Sequence, residues 1–480
     1  MIRYTLLTIA VTFLAFYAYR DWYRSLCGLL VLMAFIERYD MPRQMLGITG
    51  LNPWNLLMLF ILSAWFLAAR RENLRWDFPK GIRWLLFLYL VVILVGFVRM
   101  LGNMGPIVEF AATTGRNVPS VKELFIDDLL NTVKYVIPGL LLFHGCNSRS
   151  RLRWGIGACL LTTLLLGLQI IKWMPISDLG DADALSARAL RVLDHGIGYH
   201  RVDLAAMMAS ASWAFFVSRL IAPNKATGWI LTGLGFLLVL SLALTGGRAG
   251  YVSWGAIAML LAMLRWRKLI FALPVLLALV VALVPAARDR MLQGFGEGQR
   301  YDAVHFGDGR HDYASITSDR ILIWPSVIGK IKEAPFVGYG RQGHHTSGAS
   351  REIRDLYGEK GEGFPHPHNA YLEFLIDNGI VGAFPVFLFF FIVLKRSAAL
   401  FKNKQDPLFA AAGGVALAFV FGQLVTSIGA QSFYPRAGVV IMWATIGLAL
   451  RAHVVWQREA LRAQATQPAD GTRRLAVQPR

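Results

Sequence analysis

Long apolar stretches separated by short polar connections are the dominant pattern along the chain. A helix needs about 20 mostly apolar residues to span a bilayer. Clear candidates lie at 51–69, 84–98, 129–144, 155–171, 204–217, 228–244, 249–264, 269–284, 379–394, 408–425 and 438–450. Two further stretches, 5–19 and 26–36, are shorter. The pattern therefore predicts an all-α polytopic membrane protein with about 12, or alternatively 13, transmembrane helices.

Composition supports a membrane protein and excludes several other classes. Of the 480 residues, 55% are hydrophobic and only 16% are charged, and the mean hydropathy is +0.47. Soluble proteins carry about 25% charged residues, so the values exclude an ordinary soluble enzyme, a disordered chain and a coiled coil. The cysteines Cys27, Cys146 and Cys159 lie in or beside apolar stretches, with the spacing of neither a disulfide framework nor a metal site.

The net charge of +19 is unevenly distributed along the chain. In a soluble protein it would suggest a nucleic-acid partner, but Lys and Arg concentrate in alternate connections, as in cytoplasmic loops of membrane proteins. We therefore predict no nucleic-acid partner and assign the basic connections, such as 70–83 and 265–268, to the cytoplasm. Strict alternation gives 13 spans with the N-terminus outside. If 5–19 and 26–36 form one broken or re-entrant element, 12 spans with both termini inside result.

The opposite, periplasmic face carries the longest connection, 285–370, which is too long for a simple turn. Apolar residues recur at helical spacing within it, so we predict a helix over 318–334 with Ser318 as its cap. The predicted regions are N-terminal transmembrane helices (1–284), a periplasmic loop with an amphipathic helix (285–370), C-terminal transmembrane helices (371–452) and a basic, disordered cytoplasmic tail (453–480).

Ionisable side chains suited to chemistry concentrate on the periplasmic face. Eight of the ten histidines lie there, namely His195, His200, His305, His311, His344, His345, His366 and His368. The predicted spans are nearly free of charge, and their main exception, Lys134, lies near an outer end. This distribution disfavours a proton- or sodium-coupled transporter, which buries carboxylates near the midplane. It favours chemistry at the outer membrane interface.

Two arginines at predicted helix starts are candidates for binding phosphate. Gly246 and Gly247 turn the chain between two apolar helices and allow a ligand to approach closely. Arg248 follows at the membrane boundary, where its guanidinium suits paired phosphate oxygens. Arg320 follows Asp319 at the start of the loop helix, where free amide groups also attract an anion. The alternatives are a snorkelling arginine and a solvated ion pair.

The sequence 364–374 places two histidines in a proline-rich turn before a predicted helix. The prolines fix the chain, Asn369 is positioned to cap the helix, and neutral His366 or His368 could take a proton from a hydroxyl. A purely structural turn is the alternative. A metal site is disfavoured because no further ligand follows at a short spacing.

Other polar residues on this face are further candidates. Arg201 begins a predicted span and could contact phosphate or sugar, and Lys134 could do the same or could snorkel. His311, His344 and His345 lie among Gly, Ser and Arg, and we interpret them as solvated. Together the candidates form a cationic, histidine-bearing surface at the outer leaflet, which suits a diphosphate carried on a lipid.

Three motifs follow one another along the chain. They are Thr-Gly-Gly-Arg at 245–248, then Arg320-x3-Trp324 followed by Pro-Phe-Val-Gly-Tyr-Gly at 335–340, then His-Pro-His-Asn-Ala-Tyr-Leu-Glu at 366–373 with Asn-Gly-Ile-Val-Gly at 378–382. On these motifs, which cover roughly residues 230–395, the chain resembles the O-antigen ligase/polymerase family of bacterial inner-membrane glycosyl transferases. The N-terminal half is similar in hydropathy only.

The resemblance implies a fold of the lipid-carrier-dependent glycosyltransferase type. It implies transfer of an O-antigen glycan from undecaprenyl diphosphate to an acceptor hydroxyl, by an inverting displacement without a cofactor or metal. Arg248 and Arg320 would bind the diphosphate and stabilise it as the leaving group. His368 would be the general base, with His366 as its rival. The further substrate-binding residues would be Arg201, His366, Asn369, Tyr371, Gly247 and Lys134.

The family includes ligases acting on lipid A-core, polysaccharide polymerases and protein O-oligosaccharyltransferases, which share these motifs. A lipid A-core sugar is our first choice of acceptor, and a growing polymer or a protein is the alternative. The expected location is the bacterial inner membrane, with the active site facing the periplasm and in contact with membrane lipid. A transporter or flippase for an anion or a lipid-linked sugar, or a structural membrane subunit, would be a different class.

Overall fold

The computed structural model describes residues 2–271, 319–358 and 364–466, apart from 43, 46, 47, 75 and 432, with a few isolated positions between 272 and 318. The first helices are α1 (Ile2–Ala18), α2 (Trp22–Ile36), α3 (Pro53–Arg71), α4 (Lys80–Leu101), α5 (Gly105–Thr113), α6 (Val121–Leu124), α7 (Asn131–Lys134), α8 (Ile137–Gly145) and α9 (Arg149–Trp173). The central helices are α10 (Ala182–Ile197), α11 (Arg201–Ser218), α12 (Lys225–Thr245) and α13 (Arg248–Leu264). The later helices are α14 (Arg320–Glu333), α15 (Gly343–Thr346), α16 (Ala349–Tyr357), α17 (Ala370–Phe401), α18 (Pro407–Thr426) and α19 (Val440–Thr466).

The described part of the chain is almost entirely helical, which confirms the predicted all-α class. Besides the helices, β1 (Gln44–Met45) and β2 (Ile48–Thr49) form a two-residue antiparallel pair. Eight helices in the described ranges are long and apolar enough to cross a membrane, and α1, α2 and α13 are shorter apolar helices. The predicted span 269–284 lies mostly outside the described residues. The total of 12 or 13 spans stays a prediction.

The two short apolar stretches at the start form two separate helices. The chain turns between α1 and α2 at Asp21, whose side chain accepts a hydrogen bond from the backbone amide of Arg24. The helices then pack closely, because the Ser25 hydroxyl donates to the carbonyl of Leu14 and a Cβ at Gly28 would lie 2.8 Å from the Leu14 side chain. The first two apolar stretches are therefore two packed helices, and the choice between 13 separate spans and 12 with one re-entrant element stays a prediction.

The predicted continuous span at 129–144 is wrong in its detail. A π-helical turn (Phe125–Leu130) leads into α7, the chain breaks at Tyr135, and α8 continues to Gly145. Pro138 explains the break, because proline lacks the amide that would bond the preceding turn. The prediction relied on the apolar composition of the stretch and did not take Pro138 into account.

The helix predicted over 318–334 exists as α14, but it begins differently. Its N-terminal flanking residue is Asp319, in a left-handed conformation with φ of 61° and without a side-chain cap. The predicted cap, Ser318, lies outside the described residues. Pro325 is inside α14, and Leu322, Ile323, Ser326 and Val327 form its buried face.

The segment 335–340 docks into a break in α17. Gly379 interrupts this helix with φ of 60° and ψ of −171°, and a Cβ there would lie 2.2 Å from the carbonyl carbon of Phe336. The amides of Ile380 and Val381 donate to the carbonyls of Pro335 and Phe336, at 2.9 and 3.1 Å. Two of the motifs that carry the family resemblance therefore form one packing joint, which holds α14 over the start of α17.

Candidate functional site

The loop before α17 holds two histidine rings against each other. The centroids of the His366 and His368 rings are 4.0 Å apart, and the His368 amide donates to Nδ1 of His366 at 3.2 Å. Asn369 caps α17, as predicted, because its side-chain oxygen accepts from the amides of Tyr371 and Leu372. His368 itself has φ of 50°, a left-handed conformation that is rare for a non-glycine residue. The loop therefore presents the two imidazoles in a fixed arrangement.

Helix α14 fixes this loop and brings Arg320 to it. The Trp324 indole donates to the carbonyl of Pro367 at 3.1 Å, and the Arg320 guanidinium donates through Nη2 to the carbonyl of Gly429 at 3.1 Å. The Nε of Arg320 is buried without a hydrogen-bond partner among the described residues. Burial lowers the pKa of Arg320. No carboxylate in the described ranges pairs with Arg320, and a buried cation of this kind is suited to receive an anionic ligand.

The electrostatic surroundings keep His368 neutral at physiological pH. Burial, then the charges of Arg320 and His200, lower the pKa of His368 to about 4. Burial and the neighbouring His368, Arg436, His344 and Arg341 lower the pKa of His366 still further. A neutral imidazole can accept a proton, so the loop has the protonation state that a general base needs.

The Thr-Gly-Gly-Arg turn packs on the first turn of α11. Gly246 ends α12 with φ of 62°. A Cβ at Gly247 would lie 2.7 Å from Cβ of Ala205 and 3.8 Å from the carbonyl of Arg201. Glycine is needed here because the two helices approach so closely. The turn therefore places Arg248, the first residue of α13, next to the start of α11.

Helix α11 connects this turn to the histidine loop. Its cap His200 influences the pKa of His368, and the next residue, Arg201, donates from its guanidinium to the hydroxyl of Ser186 at 2.8 Å. Arg248 is thus linked to His368 by the starts of α13 and α11. The structure brings Arg201, Gly247, Arg248, Arg320, His366, His368 and Asn369 to the same end of the helical bundle.

Sequence reasoning missed Arg436 as a member of this group. Its guanidinium donates to Asp203 at 2.6 Å, and its charge lowers the pKa of His366. A Cβ at Gly438 would lie 3.0 Å from the Asp203 carboxyl carbon, so the start of the last helix is packed against α11. The signal was a Pro-Arg pair directly before an apolar helix on the outer face.

A second missed residue, Arg341, is the centre of a buried ionic cluster. Its guanidinium contacts the carboxylates of Asp128 and Glu373, each at 3.0 Å, and that of Asp377 at 3.3 Å. It also lies 3.7 Å from the centre of the Tyr434 ring. Burial alone would lower the pKa of Arg341, but the carboxylates raise it well above its ordinary value. The sequence contained only a weak indication of this cluster, because its acidic residues lie at outer helix ends and no basic partner is evident from their spacing.

His344 and His345 are buried, so our interpretation of them as solvated is wrong. Their exposed fractions are 2% and 6%. Nε2 of His344 lies 3.0 Å from the carbonyl of Phe364, and the His345 ring lies 4.3 Å from that of Phe110. Burial lowers the pKa values of the two histidines to about 3 and about 4. His305 and His311 lie outside the described residues.

A polar cavity of about 320 Å³ opens beside His366. Its wall includes the cluster around Arg341 and the amide side chains of Asn117, Gln342 and Gln431. Amides and carboxylates are the groups that bind sugar hydroxyls by hydrogen bonds. The cavity therefore offers space for a polar molecule next to the histidine pair.

Two predicted substrate-binding residues have other contacts. The Lys134 ammonium lies 5.2 Å from the Trp54 ring and 4.8 Å from the Tyr135 ring, in a different cavity of about 500 Å³. The Tyr371 hydroxyl donates to the carbonyl of Leu424 at 2.9 Å, and its ring packs on Phe433. Tyr371 therefore joins α17 to α18, and neither residue is part of the group around His368.

The two histidines of the loop do not form part of a larger metal-ligand group in the described ranges. No set of three or more His, Cys, Asp or Glu residues there is arranged to hold a metal ion. The chemistry that the geometry does offer is proton transfer by a neutral imidazole next to cations that can stabilise an anion.

Comparison with known proteins supports the predicted resemblance. The O-antigen ligase family model matches residues 233–387, about a third of the chain. The ComP-specific O-oligosaccharyltransferase of Acinetobacter baylyi is 24% identical over 197 residues, which are 40% of this chain and 34% of that protein. The protein named "Putative polysaccharide ligase RC0486" of Rickettsia conorii is 25% identical over 221 residues, 45% of this chain and 48% of that protein.

The matched regions thus span a third to a half of the length of these relatives. The family match includes Arg248, Arg320 and His368, the residues that the structure brings to one end of the bundle. The predicted resemblance to the O-antigen ligase family is therefore confirmed, and the match to the family model is confined to residues 233–387 of this helical protein.

Proposed function

We propose that the protein transfers a glycan from undecaprenyl diphosphate to an acceptor hydroxyl at the periplasmic face of the bacterial inner membrane, with a lipid A-core sugar as acceptor. The observation that carries the proposal is the placement of neutral His368 beside the buried Arg320 and the start of α11, next to the turn that carries Arg248. A base and cations suited to a diphosphate lie together at one end of an apolar helical bundle.

In the proposed reaction, His368 takes the proton of the acceptor hydroxyl while the hydroxyl oxygen bonds to the anomeric carbon of the donor. The bond from that carbon to the phosphate oxygen breaks, and undecaprenyl diphosphate leaves with the electron pair. Arg248 and Arg320 stabilise the negative charge that develops on the leaving group. Because the displacement has one step, the anomeric configuration inverts. Arg201 and Gly247 line the diphosphate side, and no cofactor is invoked.

The polar cavity beside His366 suits the acceptor. Its lining includes His366 and Arg341 but not His368 or Arg320, whose charge acts on His368. A donor bound at the arginines and an acceptor sugar in the cavity would then meet at the histidines. Asn117→Ala, at the cavity wall, should raise KM for the acceptor more than it lowers kcat, because it removes a binding contact rather than the base.

Transfer by the purified protein in detergent tests the proposal. The donor would be an undecaprenyl-diphosphate glycan and the acceptor lipid A-core. We expect His368→Ala, Arg248→Ala and Arg320→Ala each to lose on the order of 10²–10³ in rate, as for the loss of one stabilising donor or base. His195→Ala and Arg351→Ala are matched controls, because both residues are exposed and outside the group. Wild-type rates in the three site variants would refute the assignment.

The acceptor is tested separately from the chemistry. A polysaccharide polymerase or a protein O-oligosaccharyltransferase would use the same base and arginines, and one relative carries the second activity in its name. Growth of a lipid-linked glycan, or labelling of a protein, without transfer to lipid A-core would replace the acceptor and keep the roles of His368 and Arg248. Movement of the donor across a vesicle membrane without any product would instead support a flippase.

A further inference from the structure

A large cavity lies at the opposite end of the bundle from His368. It has a volume of about 1250 Å³ and is lined by the second half of α11, the middle of α12, Trp254 and Leu264 of α13, and the connections after α11, α13 and α17. Arg248 begins α13 and Arg265 follows its last residue, and 17 helical residues extend about 25 Å. The cavity is therefore separate from the candidate functional site.

One wall of this cavity is aromatic and apolar. The ring centroids of Trp213 and Trp254 are 5.2 Å apart, and those of Phe216 and Phe236 are 5.3 Å apart. The Trp213 indole donates to the carbonyl of Trp254, and the Trp254 indole donates to the hydroxyl of Ser212. Both indole N–H groups are thus already used, so the wall offers ring surface rather than hydrogen-bond donors.

The rim of the cavity is strongly basic. Its cationic residues are Arg219, Arg265, Arg267, Lys268, Lys402 and Lys404, and none of the lining residues is acidic. Arg265 is fixed by hydrogen bonds to the carbonyls of Phe401 and Asn403, at 2.6 and 2.7 Å. The other five cationic residues are exposed, so their side chains can turn toward a ligand. The charge of the rim therefore favours an anion as the ligand.

We propose that this cavity binds an anionic phospholipid, with its phosphate at the basic rim and its acyl chains along the aromatic wall. A soluble anion would use the rim and leave the aromatic wall unfilled, and a neutral lipid would leave the six charges uncompensated. The volume exceeds that of ordinary small-molecule pockets, about 300–1,000 Å³, and suits a two-chain lipid.

The outer surface of α12 gives such a lipid a route from the bilayer. Trp229, Ile230 and Phe236 on this helix are 67%, 60% and 57% exposed. An apolar face of this kind on a helix long enough to cross a membrane contacts acyl chains. Basic pockets between transmembrane helices bind the headgroups of acidic lipids in other membrane proteins. This proposal does not rest on the proposed glycan transfer.

Thermal stability of delipidated protein in neutral detergent tests the lipid site. Phosphatidylglycerol should raise the Tm of the wild type in a saturable way, because a ligand that binds the folded state stabilises it. Phosphatidylcholine should have little effect. In Arg267→Gln/Lys268→Gln/Lys402→Gln, half-saturation should need on the order of 10²-fold more phosphatidylglycerol, since three cationic contacts are lost.

The control variant is Arg70→Gln/Arg71→Gln/Arg83→Gln, which removes the same charge from exposed residues outside the cavity. It should respond to phosphatidylglycerol like the wild type. Because all six residues are exposed, both variants should keep the wild-type Tm without lipid. An equal loss in the two variants, or an equal response to phosphatidylcholine, would overturn the site. Protection by undecaprenyl phosphate but not by phosphatidylglycerol would overturn the proposed occupant.

Discussion

The backbone amide of His368 donates a hydrogen bond to Nδ1 of His366, with the two nitrogens 3.2 Å apart. In neutral imidazole one ring nitrogen carries the proton and the other accepts, so His366 must carry its proton on Nε2. The accepting nitrogen of His366 is therefore occupied within the loop. This contact favours His368 over its rival as the proposed base and gives His366 the role of positioning it.

The backbone of His368 supplies a test that is independent of activity. Its φ of 50° is unfavourable for any residue with a Cβ, at a cost of roughly 1–2 kcal/mol. We expect the free energy of unfolding of His368→Gly to be about 1 kcal/mol higher than that of His368→Ala. Both variants should lose transfer activity. At His195, in the helix α10, the order should be reversed. Denaturant unfolding of the four variants measures both differences. The same order at the two positions would contradict the strained conformation.

Donor binding should change the pH dependence of the reaction. In the free protein, burial and the charge of Arg320 lower the pKa of His368 to about 4. A bound diphosphate would neutralise Arg320 and raise this pKa, by about one unit or more. Since the base must be neutral, activity falls as the pH drops through its pKa. The acid limb should therefore lie at higher pH for kcat than for kcat/KM, which report the complex and the free enzyme.

Arg320→Gln provides the control for this pH effect. Without the cation, the pKa of His368 in the free protein should rise, and the separation between the two acid limbs should shrink. The measurement is the rate across pH 4 to 8 at saturating and at limiting donor. Coincident limbs in the wild type, or an unchanged separation in Arg320→Gln, would show that Arg320 does not control the base.

Local sequence signals predicted the helices and the cap at Asn369 because these features depend on neighbouring residues. The environment of His344 and His345 depends instead on Phe110 and Phe364, one of which is far away in the chain. Their Gly- and Ser-rich flanks are typical of solvated loops, so sequence alone suggested exposure. Arg341 was missed for the same reason, because its carboxylate partners come from two distant segments.

The buried histidines His344 and His345 should make the protein less stable in acid. Burial lowers their pKa values to about 3 and about 4, against an ordinary value of about 6.5. As the pH falls below about 6.5, the unfolded chain takes up protons that the folded protein refuses, so stability decreases. Each histidine should cost roughly 2 kcal/mol between pH 7 and pH 5.

The difference in pH slope between variants isolates this effect. His344→Gln/His345→Gln should flatten the fall of Tm between pH 7 and pH 5, whatever its Tm at pH 7. His195→Gln, which changes an exposed histidine, should keep the wild-type slope. If the double variant kept that slope as well, the two buried imidazoles would not be the source of the acid sensitivity.

Removal of Arg341 should be among the most damaging single changes. Arg341→Met would leave the carboxylates of Asp128, Glu373 and Asp377 without their cation, and breaking a buried ion pair in this way costs about 3–5 kcal/mol. The deficit relative to the wild type should be smaller at lower pH, because protons can neutralise carboxylates that have lost their cation. Thermal unfolding at pH 5 and pH 7 measures this, with Arg351→Met, an exposed arginine paired with Glu109, as the control. A loss below about 1 kcal/mol would contradict the clustering.

The docking of the segment 335–340 at Gly379 can be tested by substitution of this glycine. A Cβ at this position would lie 2.2 Å from the carbonyl carbon of Phe336, and φ of 60° disfavours any residue other than glycine. Gly379→Ala should therefore detach the segment 335–340 from α17 and lower both Tm and transfer, because the joint holds α14 and Arg320 in place.

The control variant is Gly157→Ala. This residue lies on a helix face where a Cβ meets nothing within 4 Å, so the substitution should stabilise the protein by up to about 1 kcal/mol. Protease cleavage near the segment should increase in Gly379→Ala alone. An intact, fully active Gly379→Ala protein would mean that the motifs at 335–340 and 378–382 serve another purpose than this joint.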